Sequence, residues 1–342
     1  MKNTGTALPI SGSQAEIAEF SDLRSIIVND IEQRWNGGGT LIDDACRHAM
    51  LPVGKLFRPT LLLVSALAVG GNAESVVAAA VATETGHTAS LVHDDIIDAD
   101  EMRRGRPSVQ GKYGINTAIV AGDLLIFSLF DMLASCATAG IPAGRVVDAV
   151  SAVARAGVDL CRGQSMEAEL TSRRLMQVEP YVEMVRLKTA ALFRAACEAG
   201  AILGGGERQA IDSLISYANH LGVAFQIQDD LLAYVSDKER MGKGASTDIH
   251  KGRPVLPVIL AYQQADPPTR RRIERCLSGQ IGPDEALREM TAICASTHAL
   301  ELAAQKAEKH AKAALGALDV LEPSPARQHL AGYVAMTLNR DR

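Results

Sequence analysis

Aromatic residues, paired cysteines and strand-like patterns are scarce in this chain. Aromatic residues make up only 4% of the 342 residues, whereas 47% are hydrophobic, so the apolar residues are mainly aliphatic. The six cysteines show no CxxC spacing, and nothing in their positions indicates a zinc site or a disulfide framework. Alternating apolar and polar residues, which are typical of half-buried strands, are absent from the sequence. An aliphatic core of packed helices is therefore expected.

Long apolar runs are also missing. The run at 61–69 is interrupted by Ser65 and ends at Gly70 and Gly71, far short of the ~18 residues that cross a membrane. The first residues lack the basic and apolar regions of a secretory signal peptide. These observations predict a cytoplasmic protein without a transmembrane segment.

An excess of positive charge is the third feature that the sequence lacks. The chain carries 35 basic and 40 acidic residues, and its net charge is −5. A nucleic-acid partner held by bulk charge is therefore not expected. Any anionic ligand must be bound by a local group of cations.

Helical periodicity covers almost the whole chain. Residues 1–12 mix Gly, Thr, Ser and Pro without a period, which predicts a flexible tail. Beyond them, glycine and proline clusters divide about ten to thirteen helical segments. The segments 73–98, 115–139 and 207–235 are apolar around most of their circumference, which indicates burial on more than one side. We expect an all-α protein with a single domain over 13–342.

Two acidic motifs stand out in this apolar background. Asp94 and Asp98 are four residues apart, so on a helix their carboxylates lie on one face, with Asp95 beside them. Carboxylate oxygens suit Mg²⁺, which completes its shell with waters and substrate phosphates. A solvated acidic helix end would explain this motif alone. The repeated pair Asp229 and Asp230, in a second apolar helix, favours two helices that clamp a diphosphate through metal ions.

Basic residues flank the first motif on both sides along the chain. Lys55 and Arg58 lie three apart at a predicted helix start, and Arg103 and Arg104 follow the aspartates directly. Guanidinium groups bind phosphate oxygens bidentately, and lysine adds a point charge. These cations could form a receptor for a phosphorylated ligand.

With these motifs in order, the sequence resembles the trans-prenyl diphosphate synthases, the family of farnesyl, geranylgeranyl and longer polyprenyl diphosphate synthases. The matching segments are GKLFRP, HTASLVHDDIID, MRRGRPS, GDLL, GQSME, KTA, FQIQDD and MGKGASTDIHKGRPVLP. The resemblance implies a helical bundle of the isoprenoid synthase type with a central apolar cavity, and a homodimer. It also implies Mg²⁺-dependent condensation of isopentenyl diphosphate with an allylic diphosphate, to a product of geranylgeranyl length or longer.

The resemblance also implies a role for each matching residue. Three Mg²⁺ ions would be held, with substrate bound, by Asp94, Asp95, Asp98, Asp229 and Asp230. The allylic diphosphate would be held by Lys188, Lys243 and Arg103. Isopentenyl diphosphate would be held by Lys55, Arg58, His87 and Arg104. The developing allylic cation would be approached by Thr189 and Gln226, whereas the weaker matches in the metal and diphosphate shell are Gln164, Glu167 and Asp248.

Two details qualify the resemblance. The second motif of the family has a further aspartate where this chain has Ala233, and Asp237 could substitute for it in part. Chain length in the family depends on side-chain bulk shortly before the first aspartate, and the small residues Ala89 and Ser90 leave the path of a growing chain open. Phe130, on a neighbouring helix, is the candidate for the floor of the cavity, and ordinary core packing would explain it equally well.

Three alternatives stay open. His93 and Asp94 together spell the metal dyad of the HD-type phosphohydrolases, which are also helical. A terpene cyclase would share the fold and an aspartate-rich motif, but it would not need a second diphosphate receptor. Ala233 would also suit a regulatory subunit of a heteromeric synthase.

Overall fold

The computed structural model describes residues 14–235, 248–249 and 251–339, and helices dominate this part of the chain. The α-helices are α1 (Gln14–Arg34), α2 (Leu41–Met50), α3 (Phe57–Ala68), α4 (Val77–Ile97), α5 (Val109–Tyr113), α6 (Ile115–Ser135), α7 (Ala143–Arg173), α8 (Val178–Val185), α9 (Ala191–Gly204), α10 (Arg208–Val235), α11 (Leu256–Gln264), α12 (Pro267–Leu277), α13 (Pro283–Ser296), α14 (Ala299–Ala317) and α15 (Pro325–Leu338). The predicted all-α class is confirmed. The predicted tail, 1–12, lies outside the described residues.

Shorter elements connect some of these helices. Two 3₁₀ turns span Glu74–Val76 and Leu318–Val320, and a π-helix, Arg186–Ala190, joins α8 to α9. The strands β1 (Met102–Arg103) and β2 (Arg106–Pro107) form an antiparallel hairpin directly after α4. Both the π-helix and the hairpin carry predicted site residues.

Side-chain caps fix several helix starts. The Thr40 hydroxyl accepts the N–H of Asp43, whose carboxylate accepts the Thr40 N–H in return, which is the capping-box arrangement. The Asp266 side chain accepts the N–H of Thr269 where α12 begins. Thr40 follows a glycine cluster and Asp266 precedes two prolines, so the local sequence sets these helix boundaries.

The described residues form two compact units. Unit 1 comprises the described residues up to Val150 together with Ala199–Glu207 and Glu322–Gly332. Its central helices, α4 and α6, run antiparallel, because Gly122 of α6 lies against His93 whereas Leu129 lies against Gly86. The glycines remove the side chains that would keep the two helices apart.

Unit 2 comprises Ser151–Glu198, Arg208–Leu321 and the described residues from Tyr333 onwards. Its central helix, α10, packs along α14 and contacts α8 and α11. The buried stripe of α14 consists of small residues at spacings of three and four: Ala299, Ala303, Ala307, Ala311 and Ala314. A stripe without bulk lets the two helices approach closely. The single domain predicted over 13–342 stays a prediction.

Helix α6 is a long apolar segment that no uninterrupted apolar run in the sequence reveals. In the described part of the chain, α6 is long and apolar enough to cross a membrane by length and composition, and 39% of its apolar window is buried. Asn116, Asp123 and Asp131 interrupt its apolar residues, so no unbroken apolar run marks this helix in the sequence. The face of α6 that packs on α4 is the kind found in core helices, so length and composition alone are weak indications of a span. The predicted cytoplasmic location stays a prediction.

Candidate active site

The first acidic motif lies at the C-terminal end of α4, in unit 1. The N–H of Asp98 donates to the carbonyl of Asp94 at 2.8 Å, so the two side chains lie one turn apart on the same face. Both residues are partly exposed. The C-terminal end of a helix carries partial negative charge, which makes two carboxylates there costly unless cations accompany them. This pair therefore suits a metal-assisted anion site.

The neighbouring carboxylate of Asp95 has a different environment. It is 2% exposed, and the Nε of Arg103 donates to its two oxygens at 2.7 and 2.8 Å. The side-chain amide of Gln110 donates to the Asp95 carbonyl. These contacts make Asp95 an anchor for the hairpin, and its predicted role as a metal ligand stays a prediction. Arg103, predicted to hold the allylic diphosphate, is paired with this carboxylate.

The hairpin places Arg104 at its tip. Arg104 and Gly105 both have positive φ, 50° and 78°, as a tight two-residue hairpin turn requires. The guanidinium of Arg106 donates to the carbonyls of Leu51 and His48 at 2.5 and 2.6 Å, which ties the hairpin to the end of α2. Arg104 itself is exposed. The hairpin thus exposes an arginine side chain at its tip.

The segment before α3 approaches the same arginine. A Cβ placed on Gly54 would lie 2.8 Å from a terminal nitrogen of Arg104. Arg24 of α1 donates to the carbonyls of Gly54 and Lys55, at 3.4 Å each. Lys55, the residue after Gly54, is exposed. Two of the residues predicted to bind isopentenyl diphosphate, Lys55 and Arg104, therefore lie on neighbouring segments. The sequence did not indicate Arg24 as a site residue, because its partner Gly54 lies 30 residues away along the chain.

His87 lies on α4, two turns before Asp94. Its Nδ1 atom is buried and has no hydrogen-bond partner among the described residues. Burial holds the pKa of His87 well below its usual value, and the cations Arg58, Arg104 and Arg103 lower it further. The imidazole is therefore neutral, with a ring nitrogen left for a ligand.

Glu84, one turn before His87, is a buried carboxylate that sequence reasoning missed. It is 7% exposed. Burial raises the pKa of Glu84, whereas Arg58, Arg104 and Arg24 act to lower it. The spacing of three from His87 was the available signal. Glu84 thus lies within the electrostatic reach of three arginines of unit 1.

In unit 2, the π-helix Arg186–Ala190 carries Lys188 and Thr189. Two glycines let neighbouring helices reach its backbone. A Cβ on Gly163 of α7 would lie 2.7 Å from the Cα of Lys188, and one on Gly222 of α10 would lie 2.5 Å from the Cα of Ala190. The widened turn is thus held between two close backbones, consistent with the frequent occurrence of π-bulges at functional sites.

The ammonium group of Lys188 lies in a cluster of alternating charges. Its Nζ is 2.6 Å from an oxygen of Glu167. Arg253 lies 3.7 Å from the same Glu167 oxygen and 3.3 Å from Asp248. Burial raises the pKa of Asp248, and Arg253 opposes this rise. Arg253 was not singled out, although it lies within a segment that carried the resemblance; Lys243 lies outside the described residues.

The two aspartates of the second acidic motif differ in their exposure to solvent. Asp229 is exposed, whereas Asp230 is 6% exposed. Both Asp230 oxygens accept hydrogen bonds, from the Tyr181 hydroxyl, the Gln226 amide and the Leu256 N–H. Burial raises the pKa of Asp230 to about 7, and the donors from Tyr181 and Gln226 oppose this rise. Its predicted role as a metal ligand stays a prediction.

The residue in the third acidic place is also described. Ala233 is partly buried and packs against the hydrophobic core of unit 2. This contact supports the interpretation that Ala233 fills space beside the motif. Asp237, the predicted substitute, lies outside the described residues.

The predicted chain-length residues lie along α4 and α6. Ala89 is buried, and the Ser90 hydroxyl donates to the carbonyl of His87. A Cβ on Gly86, one turn before Ser90, would collide with the side chain of Leu129. Leu129 thus covers the α4 surface beyond Ser90, and sequence reasoning missed it in favour of the adjacent, partly buried Phe130. No signal in the sequence marks Leu129, because its position opposite Gly86 depends on how α4 and α6 pack.

The described residues offer few carboxylates to any single metal ion. Among the described residues, no group of three His, Cys, Asp or Glu side chains is arranged to hold a metal ion. Mg²⁺ usually takes only one or two carboxylates and completes its shell with waters and substrate phosphates. The pair Asp94 and Asp98 fits that requirement.

His93 does not pair with Asp94 in the way a phosphohydrolase requires. Its ring packs on Gly122 of α6, and its Nε2 lies 3.3 Å from the carbonyl of Ile119 and 3.7 Å from Asp123. The contacts of the imidazole thus lie on the neighbouring helix. This placement disfavours the HD-type alternative.

Comparison with known proteins agrees with this arrangement. The polyprenyl synthetase family matches residues 40–294. A short chain isoprenyl diphosphate synthase of Methanothermobacter thermautotrophicus is 38% identical over 297 residues, which are 87% of this chain and 90% of that protein. A geranylgeranyl pyrophosphate synthase of Geoglobus acetivorans is 35% identical, with the same coverage.

A solved structure shows the same fold. The crystal structure of geranylgeranyl pyrophosphate synthetase from Pyrococcus horikoshii is 33% identical and has a TM-score of 0.85, covering 96% of this chain and 99% of that one. The family match spans the aspartate motif, the arginine hairpin, the π-helix and α10. The chain therefore belongs to the polyprenyl synthetase family and is an all-α prenyltransferase.

Proposed function

We propose that the enzyme condenses isopentenyl diphosphate with an allylic diphosphate and releases a trans-polyprenyl diphosphate of geranylgeranyl length or longer. One observation carries this proposal: the aspartate end of α4 is joined through the Asp95–Arg103 pair to a hairpin whose Arg104 meets the Gly54–Lys55 segment. Carboxylates for metal ions and cations for a diphosphate thus adjoin in one unit. The names of the relatives support the product class.

Three Mg²⁺ ions with substrate bound are part of the proposal. Asp94 and Asp98 would hold ions from α4, and the exposed Asp229 would hold one from α10. When bound, the ions neutralise the charge that develops on the leaving diphosphate. Asp95 and Asp230 would act mainly as positioning groups, because hydrogen bonds already occupy their oxygens.

The side chains would bind and orient the two substrates. Lys188, Lys243 and Arg103 would hold the allylic diphosphate. The cations Lys55, Arg58 and Arg104, with His87, would hold isopentenyl diphosphate. The allylic carbon–oxygen bond breaks, the alkene of isopentenyl diphosphate forms the new carbon–carbon bond, and the departed diphosphate accepts the proton that is lost. Preorganised cations stabilise the leaving anion, and an apolar pocket keeps water from the allylic cation.

Chain elongation would proceed past Ala89 and Ser90. Neither side chain is bulky, and Ser90 turns its hydroxyl back to its own helix. The first large side chain beyond them on this surface is Leu129. This order supports a product longer than farnesyl diphosphate, with Leu129 and Phe130 as candidates for the floor.

A homodimer would cover the exposed face of α6. The face opposite α4 carries apolar side chains that are 36 to 74% exposed: Ile115, Ile119, Val120, Ile126 and Phe127. An apolar stripe of this length is unusual on a protein that acts alone. A second copy of the chain is the occupant that we propose.

Product analysis tests the proposed function directly. The purified chain is incubated with isopentenyl diphosphate, Mg²⁺ and each of three allylic primers in turn, and the product length is measured. We expect geranylgeranyl diphosphate or a longer product. Farnesyl diphosphate as the final product would refute the open path past Ser90. Turnover only after addition of a partner subunit would select the regulatory-subunit alternative.

A further inference from the structure

A chain of hydrogen bonds runs from α8 through α10 to the π-helix of unit 2. The Tyr181 hydroxyl donates to one oxygen of Asp230 at 2.5 Å, and the Leu256 N–H donates to the same oxygen at 3.3 Å. The Gln226 amide nitrogen donates to the other Asp230 oxygen at 2.9 Å. The Thr189 hydroxyl donates to the Gln226 amide oxygen, also at 2.9 Å. Four side chains are thus linked in a fixed order.

This order determines which end of the Gln226 amide faces Thr189. A glutamine side chain can be turned so that either its oxygen or its nitrogen points in a given direction. In its ionised form the Asp230 carboxylate can only accept hydrogen bonds, and the donors from Tyr181 and Gln226 favour that form. The amide nitrogen therefore lies at Asp230, and the amide oxygen lies at Thr189.

We propose that Tyr181 is a positioning residue for the condensation, acting through Asp230 to fix the amide orientation of Gln226. This inference rests on the proposed function and on the role that the family resemblance implies for Thr189 and Gln226, which is to lie near the developing allylic cation. In the fixed orientation the amide oxygen, with its partial negative charge, is directed to that side. The reversed amide would direct N–H groups there and would repel the cation.

The rigidity of the surrounding elements suits this role. Tyr181 is 1% exposed, and its helix continues directly into the π-helix that carries Thr189. Asp230 is anchored on α10 and is tied to the N-terminal end of α11 through the Leu256 N–H. Each partner is therefore supplied by a packed helix, which is how a reactive group is best preorganised.

The experiment compares two buried tyrosines that lose only a hydroxyl group. Tyr234 is one turn after Asp230, is 4% exposed, and its hydroxyl has no hydrogen-bond partner within the described ranges. We expect Tyr181→Phe to lower kcat about tenfold, because the orientation of Gln226 is released. The KM values for both substrates and the Mg²⁺ concentration for half-maximal rate should stay within about twofold. Tyr234→Phe should retain the wild-type kcat.

A double-mutant cycle separates positioning from general stability. If Tyr181 acts through Gln226, then adding Tyr181→Phe to Gln226→Ala should lower kcat no further. The same fold loss in both backgrounds would overturn the proposal, as would equal kcat values for Tyr181→Phe and Tyr234→Phe.

A second variant decides the question if Tyr181→Phe does not fold. Asp230→Asn should lower kcat while leaving the Mg²⁺ requirement unchanged, whereas a raised Mg²⁺ requirement would make Asp230 a metal ligand and overturn the proposal. Wild-type turnover, measured in the same assays, tests the proposed function separately. Lack of any wild-type product refutes that function, whereas an active wild type with an unaffected Tyr181→Phe refutes only the role of Tyr181.

Discussion

Adjacent aspartates have opposite environments in both acidic motifs. Successive side chains on a helix point about 100° apart, so two adjacent residues can lie on an exposed face and on a packed face. Asp94 is partly exposed and Asp95 is bound to Arg103, while Asp229 is exposed and Asp230 is bound to Tyr181. The first aspartate of each pair is thus the more exposed, and the second holds a neighbouring element in place.

Removal of the metal-facing carboxylates should abolish most of the activity. We expect Asp94→Ala and Asp98→Ala each to lower kcat at least ~100-fold, because each removes a ligand of the ions that stabilise the leaving diphosphate. Steady-state kinetics across a Mg²⁺ series would measure this. Asp284→Ala, an exposed aspartate of α13, is the matched control and should retain activity. Near-wild-type rates in both α4 variants at saturating Mg²⁺ would contradict the assignment.

Bulk at Ala89 should shorten the product. A phenylalanine there would fill the path of the growing chain, because Ala89 is buried on the α4 surface before Ser90. We expect Ala89→Phe to stop elongation at about farnesyl length, which chromatography of the dephosphorylated products would detect. An unchanged product length in a folded variant would show that the chain grows along another surface.

At the scale of elements, close backbone approaches hold the site of unit 2 together. The π-helix is contacted through Gly163 and Gly222, and neither approach leaves space for a methyl group. The pairing of α10 with α14 includes a histidine contact, in which the Nδ1 atoms of His220 and His310 lie 3.0 Å apart. Both features suggest measurable effects on stability.

Substitution by alanine at two glycines of α7 should change the stability of the fold in opposite directions. A methyl group at Gly163 would meet the backbone of Lys188, so Gly163→Ala should destabilise the fold by about 1–3 kcal/mol and lower activity. Gly157, on the same helix, has no atom within 4 Å of an added Cβ. Gly157→Ala should therefore stabilise the fold by about 0.5–1 kcal/mol through helix propensity. Denaturant unfolding would compare the two, and equal stabilities would contradict the close approach.

The histidine contact predicts a loss of stability in acid. Burial, followed by His220, Lys309 and Lys306, lowers the pKa of His310 from 6.5 to about 4. The unfolded chain therefore binds a proton that the folded chain does not, and stability falls as the pH drops from about 6.5 toward 4. Because the ring is only about half buried, we expect protonation of His310 to lower the free energy of unfolding at pH 5 by about 1 kcal/mol.

Substitution of His310 should reduce this acid sensitivity. Melting temperatures at pH 7.5 and pH 5 would be measured for the wild type and for His310→Gln, and the drop should be smaller in the variant. His298→Gln, at an 81% exposed side chain, is the control and should behave as the wild type. Equal drops in all three proteins would show that other groups cause the acid sensitivity.

At the scale of the whole molecule, the exposed face of α6 bears on assembly. We expect a homodimer in solution, because burial of this face would remove several exposed apolar side chains from water. Phe127 is 74% exposed. The substitution Phe127→Glu should shift the mass measured by light scattering toward that of the monomer. Val320→Glu changes an exposed apolar residue elsewhere and should leave the dimer intact. A monomeric wild type at micromolar concentration would refute the proposal.

The sequence by itself determined the helical class and the family. Apolar residues at a period near 3.6 can form a core only as helices, and Asp94 and Asp98, four apart, share a face in any helix. The cations near them in the chain were equally visible. These features depend on local spacing, which is why they could be read without coordinates.

Only the tertiary structure decided which aspartate of each motif is the more exposed and which is held by a neighbouring element. Tyr181 is 49 residues from Asp230 along the chain, and Arg24 is 30 residues from Gly54. No spacing rule connects such partners, because their meeting depends on how whole helices pack. The same holds for Leu129 opposite Gly86 and for Gly163 beneath Lys188, where a missing side chain matters only once another element lies against it.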